Sequence, residues 1–263
     1  MMIRRSIAWV LSGVLVAPLG LLVLLSLTRH WTWPALLPTE WQTRQWHDLT
    51  AESLGLGVIV LRSLAMGTGV AVLATALGFA SSRSVARHAH QGWLMVLLHV
   101  PFAVSPVVLG VSLLYTFLRL HLAGHIAGVM LAHLVFAYAY AVILLSGFWN
   151  PRVQSLAELA LLLGADRRQL WMKVLLPLAR PLLAVCLLQT FLISWFDYAL
   201  TLLIGGGQVS TLTIALYQYL TSGDVRLAAT CALLLLAPPL VALRFNRRLL
   251  SATVAIRLEA SGA

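Results

Sequence analysis

Long apolar runs separated by short polar connections set the rhythm of this chain. Runs with no charge, or a single one, cover residues 6–28, 63–82, 93–118, 126–149, 181–204 and 227–243. A helix needs about 20 apolar residues to cross the hydrocarbon core of a bilayer. The pattern therefore predicts an all-α membrane protein with six transmembrane helices. The third run carries Pro101 and Pro106. Each proline removes a backbone donor and crowds the preceding turn, so this helix is expected to kink or break. Broken helices often line transport pathways, and a packed kink without function fits the same residues. Pro238 and Pro239 shorten the sixth run.

The connections differ in character. Residues 29–56 are polar and hold Trp31, Trp33, Trp41 and Trp46. Tryptophan favours the headgroup level, so they read as an interfacial belt, with contact to a soluble partner as a second role. Residues 83–92 form a short basic link, and 205–207 open a connection in which 211–221 reads as a short interfacial helix. Between the fourth and fifth runs lies the most charged stretch, residues 155–181, SLAELALLLGADRRQLWMKVLLPLARP. Residues 156–163 are strong helix formers, with Glu158 near the start, where the helix dipole favours a negative charge. Gly164 is placed to take the left-handed conformation that closes a helix. Asp166 suits the N-cap of a second helix over 167–175, which Pro177 and Pro181 are expected to end. The prediction is helix, tight turn, helix.

Composition agrees with the bilayer. Of 263 residues, 60% are hydrophobic and 10% charged, and the mean hydropathy is +0.92. A formal charge of +10 would suggest nucleic acid in a soluble protein, but the chain has no interleaved basic and aromatic patch, so no nucleic acid is expected. The basic residues instead sort by connection. With a cytoplasmic N-terminus, the inner side holds Arg4, Arg5, Arg83, Arg87, Arg152, Arg167, Arg168, Lys173, Arg180, Arg244, Arg247, Arg248 and Arg257. The outer side holds Arg29, Arg44, Arg62, Arg119 and Arg226. That asymmetry predicts both termini and the loop around Gly164 in the cytoplasm. Arg4 and Arg5 raise the signal-peptide reading, but the run after them is long and no small-x-small site follows, so it reads as a retained helix.

Candidate chemistry is sparse. Asp197 is the acidic residue of the fifth run. Ionisable groups in lipid usually face a cavity or a partner, so Asp197 either lines the pathway or pairs with Arg62 or Arg119. His99 and His133 read as satisfied hydrogen-bonding groups. The pairs His121/His125 and His88/His90 lack a carboxylate or cysteine nearby to complete a metal site. Cys186 and Cys231 read as small buried hydrophobes. Lys173 is the sole lysine and follows Met172, so there is no phosphate-binding G-x-x-x-x-G-K-[ST] loop, and no H-E-x-x-H motif or nucleophile elbow is present. No catalytic site, metal or cofactor is expected.

The stretch around Gly164 resembles the EAA loop of ABC importer permeases, through Glu158, Leu159, Ala160, Gly164, Ala165, Leu176 and Pro177. The departure is Leu159, where the family pattern has alanine. PFAVSPVVLG and SWFDYALTLLIGGGQVSTLTIALYQYLTSGD look like the matching parts of permeases for polyamines, thiamine, sulfate or iron. The resemblance implies a MetI-like fold, with a helix-turn-helix coupling loop in the cytoplasm between helices 4 and 5. It implies an N-terminal helix and periplasmic connection over 1–56, a permease core over 57–245 and a cytoplasmic tail over 246–263. It implies a permease subunit of a bacterial inner-membrane importer, with a second permease subunit, ATPase subunits that bind the ATP, and a periplasmic or lipoprotein substrate-binding protein. Glu158, Leu159, Ala160, Gly164, Ala165 and Asp166 would couple to the ATPase, while Leu170, Trp171, Val174 and Leu176 brace the loop. Asp197, Pro101 and Pro106 are the pathway candidates. The alternative is an ion-gradient-driven secondary transporter using Asp197, His99 or His133 as a relay.

Overall fold

A computed structural model of the chain describes residues 2–28, 31, 40–43, 46, 55–88 and 90–241. Every regular element among them is helical apart from one isolated bridge, Thr28 to Trp41. The helices are α1 (Met2–Ser26), α2 (Leu56–Arg87), α3 (Gln91–Ala103), α4 (Pro106–Arg119), α5 (Ile126–Ser146) and α6 (Pro151–Leu162). They continue with α7 (Arg167–Trp195), α8 (Ala199–Gly205), α9 (Leu212–Thr221) and α10 (Val225–Val241). Among the described residues α2, α5 and α7 are each long and apolar enough to cross a bilayer, and α3 with α4 would make a fourth if the bent pair is one span. Trp33 and the tail beyond residue 241 lie outside the described residues.

Several boundaries differ from the sequence reading. The second helix is longer than 63–82 and runs through Arg83 and Arg87, which shortens the basic link. The third run breaks at Val104 and Ser105 with a 98° bend. Ser105 is extended and Pro106 opens α4, where a missing amide costs nothing. The fourth helix ends at Ser146, and α6 begins at Pro151, ahead of the expected 156. Pro177 and Pro181 do not end a helix: α7 is continuous through both. The turn before them widens into a π segment, Leu170–Leu175, in which the Leu176 amide donates to the Trp171 carbonyl. That wider register lets the chain pass a residue with no amide without a break. Likewise α10 passes through Pro238 and Pro239.

The chain forms two compact units, Leu64–Val209 and Met1–Ser63 with Ser210–Leu240. In the latter, Thr211 caps α9 through its hydroxyl, which accepts the Ile214 amide at 3.4 Å. The Leu212 amide donates to Ser63 Oγ at 2.8 Å, and Arg226 donates to Gln42 Oε1 at 2.8 Å. Trp41 is exposed, as an interfacial residue would be.

The Leu64–Val209 unit is built around α5, which has no polar face and is buried on most sides. Helices α3, α7 and α8 pack on it. Small residues permit close approach to α2: a β-carbon at Gly78 would fall 2.5 Å from the Ala141 β-carbon. Between α2 and α7, Thr75 and Thr190 meet at 3.3 Å, with Thr190 donating to its own Cys186 carbonyl at 2.8 Å. Cys186 and Cys231 are both buried and free.

Gly78→Val should therefore force α2 and α5 apart and cost about 1–3 kcal/mol. Thermal unfolding in detergent checks this against Gly92→Ala, where a β-carbon meets open space. Equal midpoints for the two variants would contradict the packing.

Candidate functional site

The hairpin from Pro151 to Leu175 is closed by local hydrogen bonds at each of its corners. Asn150 caps α6, its side chain accepting the Val153 amide at 3.0 Å, and Pro151 occupies the first turn, where no amide is needed. At the far end the chain makes a complete Schellman closure. The Gly164 amide reaches the Leu161 carbonyl and the Ala165 amide reaches the Ala160 carbonyl, both at 3.0 Å. Gly164 sits at φ +84°, a region where a side chain costs about 1 kcal/mol or more. Asp166 then caps α7, its carboxylate accepting the Gln169 amide at 2.6 Å. Ala160, Gly164 and Ala165 are thus the positions that build the turn, and Asp166 starts the next helix. Glu158 and Leu159 lie exposed on α6.

One side of α6 is buried through Val153 and Ala157. The other carries leucine at helical spacing: Leu156, Leu159, Leu162 and Leu163, with Leu162 at 85% and Leu163 at 80% exposure. On the returning helix of the hairpin, Leu170 and Leu175 are buried, and Trp171, Val174 and Leu176 pack on the same core. That core includes Phe79 of α2 and Phe148 and Trp149 just before α6. Trp149 stacks on Phe79 with centroids 5.7 Å apart, and its Nε1 donates to Ser82 Oγ at 2.9 Å. Arg83 lies over both Trp149 and Trp171. Sequence reading placed Arg83 in a basic link and missed this contact. Its signal was weak: Phe79, Ser82 and Arg83 share a helix face only if α2 continues past residue 82.

Asp197 is not inside a helix. It lies in the break between α7 and α8, and its partner is His133 of α5, not Arg62 or Arg119. Oδ2 receives His133 Nε2 at 3.1 Å, the Thr201 amide at 3.0 Å and the Thr201 hydroxyl at 3.2 Å. His133 Nε2 also lies 3.1 Å from the Thr201 hydroxyl oxygen, and Nδ1 lies 2.8 Å from the Ser194 hydroxyl oxygen. Asp197 thereby satisfies an amide that the start of α8 leaves free. His133 and Thr201 are almost fully buried, so this network fixes the α7–α8 corner against α5.

The same corner borders a cavity of about 380 Å³ lined by Pro101, Pro106, His133, Asp197 and the rings of Phe102, Phe136 and Phe196. The break between α3 and α4 and the break between α7 and α8 therefore open onto one space. All three pathway candidates, Asp197, Pro101 and Pro106, line it. His99 lies apart, with its Nδ1 2.7 Å from the Met95 carbonyl of its own helix.

Residues 67–254 match the family described as binding-protein-dependent transport system inner membrane component. The osmoprotective compounds uptake permease protein GgtD of Synechocystis sp. is 27% identical over 224 residues, covering 74% of this chain and 75% of the relative. The spermidine/putrescine transport system permease protein PotC of Escherichia coli is 25% identical over 203 residues, 74% of this chain and 77% of the relative. The putrescine transport system permease protein PotI of the same organism is 25% identical over 192 residues, 70% and 68% respectively.

Asp197→Ala would take the shared acceptor away from both Thr201 donors in a buried site and leave His133 Nε2 with the Thr201 hydroxyl alone. Each unsatisfied group costs about 1–3 kcal/mol, so the thermal midpoint in detergent should fall by several degrees, and less for Asp197→Asn. An unchanged midpoint for Asp197→Ala would contradict the network.

Proposed function

From a chain that belongs to the family of inner membrane components of binding-protein-dependent transport systems, we infer a subunit that passes force from an ATPase to a transport pathway. The protein is a permease subunit of an ABC uptake system of the inner membrane. It carries no phosphate-binding loop of its own, so ATP binding and hydrolysis fall to partner subunits. The permease core over 57–245 pairs with a second permease, identical or related. A periplasmic or lipoprotein binding protein delivers the substrate. Six spans, with both termini and the hairpin around Gly164 in the cytoplasm, agree with the distribution of arginine.

The observation that carries this reading is the leucine face of α6 on a hairpin that local bonds hold at a set angle. A fully buried leucine contributes about 1.5–3 kcal/mol, against about 0–1 kcal/mol for a surface ion pair. Docking of the ATPase therefore rests mainly on Leu159, Leu162 and Leu163, with Glu158 setting orientation. Leucine at position 159 adds to that apolar face. The cavity shared by the two helix breaks serves as part of the pathway, with Pro101 and Pro106 shaping one wall and Asp197 another. The ion-gradient alternative has less support, since His133 and Asp197 are engaged with each other and with Ser194 and Thr201.

Gly164→Asp tests the assignment. A β-carbon at φ +84° opens the Schellman turn, tilts α6 and adds a charge beside the leucine face. The variant should still insert in the membrane, but it should retain little of the ATPase that co-purifies with the tagged wild-type chain in mild detergent. Full retention of that ATPase would refute the coupling role of the hairpin.

A further inference from the structure

The hairpin meets α2 at Phe79, Ser82 and Arg83, and Arg83 lies between the hairpin's entry and its exit. Trp149 immediately precedes the cap of α6, and Trp171 belongs to the π segment that follows the turn. Their rings are 5.9 Å apart. The Arg83 guanidinium carbon lies 5.4 Å from the centre of the first ring and 5.6 Å from the centre of the second. Phe79, one turn earlier on α2, packs at 5.7 Å from each of the same two rings. One face of α2 therefore holds both ends of the hairpin.

The geometry points to Arg83 as a positioning residue that joins the hairpin to α2, so that displacement of the hairpin is passed to that helix. This rests on the coupling role proposed above for the hairpin. A planar guanidinium stacks flat on an aromatic face, whereas an ammonium group is a compact point charge with no plane to hold a ring's orientation. The arrangement also carries a cost that a purely structural residue would avoid. Arg83 Nε is buried and has no hydrogen-bond partner, and Arg87 follows one turn later on the same helix. A methionine would fill the same space without either penalty. What methionine would not supply is a flat, polar group that keeps two rings in register while the elements bearing them move. The π segment beside Trp171 is consistent with such a joint, because these wider turns accommodate shifts of register within a continuous helix.

The test uses the full chain, tagged and purified from its host with its accompanying ATPase subunit, then reconstituted in nanodiscs. A cysteine replacing Phe196, which borders the cavity and is 46% exposed, reports on the pathway by its rate of maleimide labelling. Cys186 and Cys231 are buried and add little background. Rates are compared without nucleotide and with ATP plus vanadate. Arg83→Met should keep the ATPase subunit and its ATP hydrolysis. The nucleotide-dependent change in labelling should nevertheless shrink about fivefold or more, the scale of a typical coupling between sites. Arg83→Lys, which keeps the charge but not the plane, should lose the response in the same way. A full response in Arg83→Met overturns the proposal. So does loss of the ATPase from both variants, because Arg83 would then serve assembly. Gly164→Asp in the same background separates the two ideas. If it keeps both ATPase and response, the hairpin reading itself fails; if it loses them while Arg83→Met responds fully, only the joint fails.

Discussion

Inside a bilayer no water is available to take up a free amide or carbonyl, so every departure from a regular helix must find its partners within the protein. Three departures among the described residues show how this is met. At the α3–α4 break, Ser105 and Pro106 turn the chain where proline needs no partner. Before Pro177 the π segment shifts the hydrogen bonds by one residue and keeps α7 whole. At the α7–α8 corner, Asp197 supplies the acceptor for the Thr201 amide, and His133 holds the carboxylate in place. The two true breaks open onto the same cavity, whereas the π segment lies beside the hairpin.

The hairpin obeys the same constraint with different means. Its ends are capped by Asn150 and Asp166, and its turn by the Ala160 and Leu161 carbonyls. With its caps and its turn made by local bonds, the angle between α6 and α7 is set by the backbone, and the outward side chains of α6 are left to make contacts. A rigid lever that presents leucine outward and tryptophan inward is the arrangement through which a soluble partner could act on membrane helices.

Much of this was legible in the sequence, because apolar run length and cap residues are local properties. Gly164 and Asp166 announced the turn, and the second, fourth and fifth apolar runs announced α2, α5 and α7, which are long enough to cross a bilayer. What was not legible depended on contacts between distant residues. Proline suggested that the helix would stop at 177, but a preceding π turn, which has no simple sequence signature, carried it onward. Asp197 looked like a buried charge in a span because its run of neighbours is apolar. Only the fold brings His133 to it, 64 residues away. The link containing Arg83 looked like a solvated basic connection until α2 was seen to extend to Arg87.

The outward face of α6 is where we propose that an ATPase bears on this subunit. A photoreactive amino acid in place of Leu162, the most exposed of the leucines on that face, measures this directly when membranes from the host are irradiated. The expected result is a crosslinked product joining the chain to an ATP-binding subunit, with a yield that changes when ATP and vanadate are added. Crosslinks confined to lipid, or to a protein that binds no ATP, would contradict it.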